Sequence, residues 1–344
     1  MKFQHVQLHT IAGVLPPNVV SSAQLEERLS PLYQRLHLPE GRLELMTGIV
    51  QRRFWSPGTM PSDAAVQAAR AAIAKSGLSA TRIQAVLYCG VSRDCVEPAT
   101  STAVVRKLGL GTDTLNFDVS NACLGIASGM MVLAGMLENG LIDCGMAVTG
   151  ENGGPLVDNT VLRLNADQSM TRQSLKHEFA SLTIGSAAAA VILTREGGHA
   201  IHAIASASEC ANDALCRGDA AGGMTDGSAP VMKTDSHELM VQGIEVAARM
   251  WRNLQAEAPW NGALPEIVCG HQVGKIHRDL LFQRLGLSPE LDFPIFPETG
   301  NCGSASLPLA VSLAEERGAL RPGMKLAMLG IGSGINSLGL AITW

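Results

Sequence analysis

Residues 116–140, NFDVSNACLGIASGMMVLAGMLENG, pass from a β-rich run into a helical pattern of small and apolar side chains, with one cysteine, Cys123, at the junction. A strand that runs straight into a helix is the building unit of an α/β fold. A second stretch, FPETGNCGSASLPLAVSLAEERG at 296–318, answers the first, with Cys302 ahead of its helical run. Upstream of the two stretches lie AVLYCGV (85–91) and EIVCGHQ (266–272). Downstream lie CGMAVTGENG (144–153) and MKLAMLGIGSG (324–334). Cys89 and Cys269 are 180 positions apart, and Cys123 and Cys302 are 179 apart. Two separate segments that share nearly one offset predict a duplicated βαβ unit with largely buried strands. The halves are placed at 1–195 and 196–344. Residues 152–182 have no counterpart in this scheme and are expected to form an excursion, with a polar helix at about 168–181.

The 344 residues are 46% hydrophobic and 17% charged, enough to bury a large core. Glycine is abundant (36) and aromatics are scarce (4%), which suits close packing of helix on sheet. The formal net charge is −5 and no basic stripe is present, which argues against nucleic acid as a partner. The amino-terminal run MKFQHVQLHTIAGVLPP has neither a basic-then-apolar signal nor a cleavage site. The most apolar stretch, 122–137, is too short for a membrane span. A cytoplasmic protein is expected.

None of the eight cysteines (89, 95, 123, 144, 210, 216, 269, 302) forms a C-x-x-C pair, so neither a zinc site nor a disulfide framework is expected. Buried, reduced thiols are the expectation for all but one. Cys123 opens a glycine- and alanine-rich helix. There the positive end of the helix dipole and the unpaired N–H groups would favour the nucleophilic thiolate. A core cysteine could stand in the same place, and position alone leaves both open.

In open α/β sheets, functional groups collect at the carboxyl ends of strands. His271, just past an apolar strand, could donate to a thioester oxygen or move a proton. Asn301, at a second strand–helix turn, could donate to an oxyanion or simply cap a helix. Glu97 precedes Pro98 and a Thr/Ser-rich helix start. It could complement the helix dipole or act as a base beside the thiol. The loop LGIGSGINS (329–337) could bring backbone N–H groups close to a substrate. His277 falls in an amphipathic helix and is assigned no function.

Taken together, TGIVQRR (47–53), NACLG (121–125), GHQVGKIH (270–277), GNCGSASLPLAV (300–311) and LGIGSGIN (329–336) resemble the thiolase-fold condensing enzymes, in the branch of 3-oxoacyl-acyl-carrier-protein synthase III. The resemblance covers essentially the whole chain. It implies duplicated halves in a five-layered αβαβα core, a Cys-His-Asn triad on Cys123, His271 and Asn301, and a homodimer without a cofactor. It also implies an oxyanion hole from the backbone of Cys123 and of Gly332, Ser333 and Gly334. Where housekeeping synthases carry a Trp and an Arg that clamp the coenzyme A adenine, this chain has Arg42 and Met46. Where they place an aromatic residue from the partner subunit, it has Glu97.

VSRDCVEPATST (91–102), SNACLG (120–125), ALCRGD (214–219), HQVG and LGIGSGIN look more like the OleA type. Enzymes of that type join two fatty acyl-coenzyme A molecules head to head. The product is a 2-alkyl-3-oxoalkanoate for olefin or β-lactone pathways, whose later enzymes are further expected partners. In that type the matching glutamate reaches across the dimer as base. Arg217 is carried over as a substrate contact. Two other functions compete on the sequence: a decarboxylative synthase that uses malonyl-carrier protein, and a silent subunit that shapes a partner's pocket.

Overall fold

The structure, a computed structural model, describes residues 1–220, 230–271 and 273–344. The strands of the first half are β1 (Gln7–Val14), β2 (Asn18–Ser21), β3 (Gln51–Phe54), β4 (Ala85–Tyr88), β5 (Leu115–Asp118), β6 (Cys144–Glu151) and β7 (Ala187–Thr194). Those of the second are β8 (His199–Ser208), β9 (Cys216–Ala220), β10 (Pro230–Thr234), β11 (Ile267–Gly270), β12 (Lys325–Gly332) and β13 (Asn336–Thr343). Nine of them hydrogen-bond in the order β11-β12-β13-β8-β1-β7-β6-β4-β5.

Outward from the middle, the order is β1-β7-β6-β4-β5 on one side and β8-β13-β12-β11 on the other. Counting only the strands of this sheet, these are the same succession: first strand, last, next to last, then second. The third strand of the second half survives as one parallel bridge, Val268 to Asp292. Within the sheet the halves meet at β1 and β8, through the pairs Gln7–Ala200 and Leu8–His199.

Strand alternation builds the layers. Ala85 and Leu87 of β4, with Leu326 and Met328 of β12, face a central core shared with the helices Gly125–Glu138 and Ser306–Glu316. The alternate residues Val86 and Tyr88 pack on the alanine-rich helix Pro61–Ser76. Ala327 and Leu329 pack with Met250, Trp251 and Leu254 of the helix Ser236–Glu257. Outer helices, half-sheet, central helices, half-sheet and outer helices make the five layers of a thiolase fold.

Two glycines let the first central helix approach β4. A Cβ on Gly125 would lie 1.9 Å from the Cys89 carbonyl oxygen, and one on Gly129 would lie 2.4 Å from the Cys89 sulfur.

Residues 152–182 differ from expectation. The segment holds the helix Gly154–Ala166, followed by short 3-10 turns at Ser174–His177 and Phe179–Thr183; no polar helix spans 168–181. Thr171 and Ser174 each accept the other's backbone N–H on a hydroxyl, at 3.1 and 2.9 Å. Arg172 donates to the Leu36 and His37 carbonyls. The Thr171–Ser174 bonds compete locally with helical ones, and the Arg172 bonds tie the segment to a distant helix end. The excursion packs Val157, Val161 and Leu164 against Leu25, Leu29, Leu32 and Leu43, so it forms a cap with the amino-terminal helices. Among the described residues no helix is long and apolar enough to cross a membrane.

Candidate active site

Ala122 adopts φ 45°, a left-handed conformation uncommon for a residue with a side chain. It turns the chain from β5 into the short 3-10 segment Ala122–Leu124 that carries Cys123 and leads into Gly125–Glu138. Cys123 is half-buried. Burial pushes its thiol up to about 12, and Glu151 and Cys216 act in the same direction. The expected resting thiolate is therefore corrected. Taking a charge out of water outweighs a helix-terminus effect of about 0.3–1 kcal/mol.

Three further segments close on this turn. The turn of the β12–β13 hairpin, Ser333–Ile335, follows Gly332, where a Cβ would stand 3.1 Å from Leu124 Cγ and 3.6 Å from the Asn121 carbonyl. A side chain there would press on Leu124, so the glycine eases the approach of the hairpin to the cysteine turn. Asn336 Nδ2 donates to Asn121 Oδ1 at 3.2 Å and so ties hairpin to turn. From the second half, Ser304 Oγ accepts the Ile126 N–H at 2.8 Å, one turn into the Cys123 helix.

Asn301 stands three residues before Ser304 and is 9% exposed. Its Oδ1 accepts the Gly303 N–H at 3.0 Å, which turns the Nδ2 edge to the opposite side. The residue does not follow a strand, as the sequence had suggested. It follows the short helix Phe296–Thr299 and bridges to Ile184, with Asn301 N–H to the Thr183 carbonyl and Gly185 N–H to the Asn301 carbonyl, both 2.9 Å. The end of the excursion therefore pins this amide.

His271 follows β11 directly. Its N–H donates to the Leu329 carbonyl of β12 at 2.7 Å, three residues before Gly332. The side chain is 7% exposed, and Nδ1 has no partner among the described residues. Burial, with His277 adding to it, drives His271 down to about 3, so the imidazole is neutral. His277, in the helix Lys275–Leu285, is likewise held down to about 4 by burial. It is a second neutral histidine near the first.

Glu97 lies on the irregular loop between β4 and the helix Thr100–Leu108, and its side chain is exposed. Val91 and Val96 of the same loop are exposed as well, and β5 forms the outer edge of the sheet beside it. The loop is anchored at both ends. Asp118 accepts the N–H groups of Thr100 and Ser101, both at 2.9 Å, and Glu151 accepts those of Val91 and Ser92. Arg217, on β9, is 70% exposed and lies 3.6 Å from Asp213.

Two more expectations need correction. Cys95, in a loop, and Cys210, opening the 3-10 segment Cys210–Leu215, are exposed, whereas Cys144 and Cys269 lie in apolar strands and Cys89 directly follows one. Cys216 is half-buried and close enough to Cys123 to oppose a charge there. Glu151 and Asn121 escaped the sequence reading. An acid closing the otherwise uncharged strand CGMAVTGE was the signal for Glu151. No group of acidic, histidine or cysteine side chains that could hold a metal occurs among the described residues.

Residues 257–344 match the family described as 3-oxoacyl-[acyl-carrier-protein] synthase III C terminal. The chain is 39% identical to an acyl-CoA:acyl-CoA alkyltransferase of Shewanella oneidensis and 33% identical to one of Xanthomonas campestris, with all of both chains covered in each case. A β-ketoacyl-[acyl-carrier-protein] synthase III of Streptomyces coelicolor is 27% identical over 97% of this chain and 96% of its own. Among solved structures, Xanthomonas campestris OleA with its named cysteine changed to alanine superposes with TM-score 0.93 at 32% identity, covering 100% of this chain and 98% of that one. The same enzyme, crystallised as a serine variant with lauric acid and lauroyl-CoA bound, gives TM-score 0.90 over 99% of this chain and 100% of that one.

Proposed function

The chain belongs to the acyl-CoA:acyl-CoA alkyltransferase family of thiolase-fold acyltransferases, and from that premise we propose that it joins two fatty acyl-coenzyme A molecules without decarboxylation, giving a 2-alkyl-3-oxoalkanoate. The observation that carries this is the meeting of the Cys123 turn, the glycine hairpin, the Asn301 turn and the His271 strand end at one end of the sheet. The exposed carboxylate of Glu97 stands on the loop beside them.

In this mechanism the Cys123 sulfur attacks the first thioester. A sulfur–carbon bond forms and the bond to coenzyme A breaks. The thiol proton ends on the departing coenzyme A sulfur. Backbone N–H groups of Cys123 and of Gly332, Ser333 and Gly334 hold the oxyanion, each worth about 2.7–4 kcal/mol. The second acyl-CoA then binds with its thioester oxygen toward His271 and Asn301. A neutral imidazole and an amide suit this task, since both donate a hydrogen bond without bringing a charge that must be desolvated.

Glu97 takes the α-proton, and the resulting carbon nucleophile attacks the acyl carbon on Cys123. The sulfur leaves and recovers a proton. Water then cleaves the remaining thioester, releasing the acid and the second coenzyme A as its thiol. In a homodimer, Glu97 serves the partner's Cys123, which accounts for an exposed carboxylate flanked by the exposed Val91 and Val96 beside the open edge of β5. The halves 1–195 and 196–344 act as one catalytic body without a cofactor. The enzyme works in the cytoplasm, where acyl-CoA is the substrate and later pathway enzymes take the product. Arg217 contacts coenzyme A at the mouth.

The test is incubation with myristoyl-CoA as the sole substrate. A β-keto acid, detected by gas chromatography as the ketone it forms, is the expected product. Product only after malonyl-carrier protein is added would instead establish the decarboxylative route. A protein that never gains an acyl adduct in intact-mass spectrometry would be a silent scaffold.

A further inference from the structure

Glu151 closes β6 and is 4% exposed, yet it forms no ion pair among the described residues. Its carboxylate is satisfied by donors from two distant parts of the chain. Oε1 accepts the Val91 N–H at 2.9 Å and the Ser304 N–H at 3.2 Å, and Oε2 accepts the Ser92 N–H at 3.0 Å. The Thr149 hydroxyl lies 3.4 Å from Oε1. In each backbone contact the carboxyl group accepts, and these donors work against burial, which raises the Glu151 pKa above its ordinary value.

Val91 and Ser92 begin the loop that carries Glu97. Ser304 follows Asn301 and, through its Oγ, holds Ile126 of the Cys123 helix. One carboxylate thus touches the roots of the Glu97 loop, the Asn301 turn and, through Ser304, the cysteine helix. The fit is tight: Gly303 adopts φ 54°, and a Cβ there would stand 3.2 Å from the carboxyl carbon of Glu151.

We infer that Glu151 is a positioning residue, a buried clasp that sets the Glu97 loop of the first half against the Asn301 turn of the second and, through Ser304, brings its carboxylate to the foot of the Cys123 helix. The part concerning Glu97 and Asn301 rests on the proposed condensation; the carboxylate at the foot of the Cys123 helix does not. Glu151 and Cys216 are the groups that raise the Cys123 thiol beyond the effect of burial. Glu151 also faces Tyr88 on β4 and Cys302 ahead of the second central helix, both held neutral mainly by burial. His271 is driven neutral and brings no compensating charge.

The first readout needs no substrate. Alkylation of Cys123 by iodoacetamide is followed against pH by peptide mass spectrometry, which separates it from the exposed Cys95 and Cys210. Glu151→Gln keeps the shape and removes the charge. Its alkylation midpoint should fall by about one pH unit, equivalent to a tenfold rise in rate below the midpoint. Glu151→Asp keeps the charge, and its midpoint should stay with the wild type. An unmoved midpoint in the Gln variant, or equal shifts in both, overturns the charge role.

The second readout uses Glu151→Asp and remains available if the Gln variant does not fold. The shorter carboxylate cannot reach Val91, Ser92 and Ser304 together. Acylation of Cys123 should therefore stay near the wild-type rate while condensation falls about tenfold. An unchanged ratio of the two steps overturns the clasp. A wild-type protein that fails to condense acyl-CoA would instead defeat the proposed function, leaving the alkylation result to stand alone.

Discussion

Cys123 and Cys302 occupy corresponding places in two copies of one fold, each between a turn and the first residues of a central helix. Their surroundings are opposite. The Cys302 sulfur is fully buried and donates to the Thr299 carbonyl at 3.3 Å, while its N–H is held by Ser306 Oγ at 2.9 Å. Cys123 is half-buried and faces a hairpin whose glycine admits close approach. Both thiols are pushed up to about 12 by burial. Acidity does not separate them, and access does. The next positions complete the contrast. Gly125 corresponds to Ser304, and the serine hydroxyl sits where a side chain on the glycine would have been, only 2.9 Å from its Cβ position. One copy gave up a side chain, and its space is taken by the Cys89 carbonyl together with the serine hydroxyl of the other copy.

The contrast is broken most severely at the sulfurs. Cys123→Ala should abolish the acyl adduct in intact-mass spectrometry. Cys302→Ala should still acylate and lose only about 1–2 kcal/mol of stability in thermal unfolding. The reverse result would exchange their roles. The loops that follow the second strand of each half differ in the same way: an open loop carries Glu97, whereas His271 is fixed at its strand end. Glu97→Ala should acylate normally yet condense about 10²–10⁴-fold more slowly, measured as product per acylated enzyme. Normal condensation would remove Glu97 as the base.

Gly125→Ser makes the two turns alike. Its Cβ would meet the Cys89 carbonyl, and the cost should be about 3 kcal/mol or more, read from denaturant unfolding. A neutral outcome would mean the helix is free to move off β4.

His271 gives a smaller, pH-dependent effect. Its folded pKa, about 3, lies below that of the unfolded chain, so the unfolded state takes up the proton first as pH falls. Stability should therefore decline below about pH 6.5 and continue to fall toward pH 3. His271→Asn should show a shallower decline in a series of melting curves. The smallest expected change is at Ala122. Ala122→Gly relieves a left-handed residue and should shift stability by about 1 kcal/mol or less, with fold and acylation retained.

The alternation of strand and helix, the duplicated unit and the two cysteine turns were legible because each rests on local periodicity and on spacings that survive in a single chain. Cys123, His271 and Asn301 could be singled out because each is a chemically able side chain at an expected turn, inside a motif that the resembling family shares. The polar helix at 168–181 was not foreseeable as 3-10 turns. Its pattern suits a helix, and part of what displaces it, the Arg172 bonds to Leu36 and His37, comes from more than 130 positions away. Glu151 looked like an ordinary strand end for the same reason: two of its three backbone donors lie some 60 residues upstream and the third about 150 downstream.

By itself, then, the sequence determined the repeating α/β architecture and the kinds of side chain at its strand ends, since both follow from which residues suit a buried strand, a helix or a turn. The tertiary structure alone decided which of two equivalent cysteines can be reached, that the accessible one rests protonated, and that one buried carboxylate joins the halves beneath it. Access, desolvation and the pairing of distant donors depend on what surrounds an atom in space, and no local pattern carries that information.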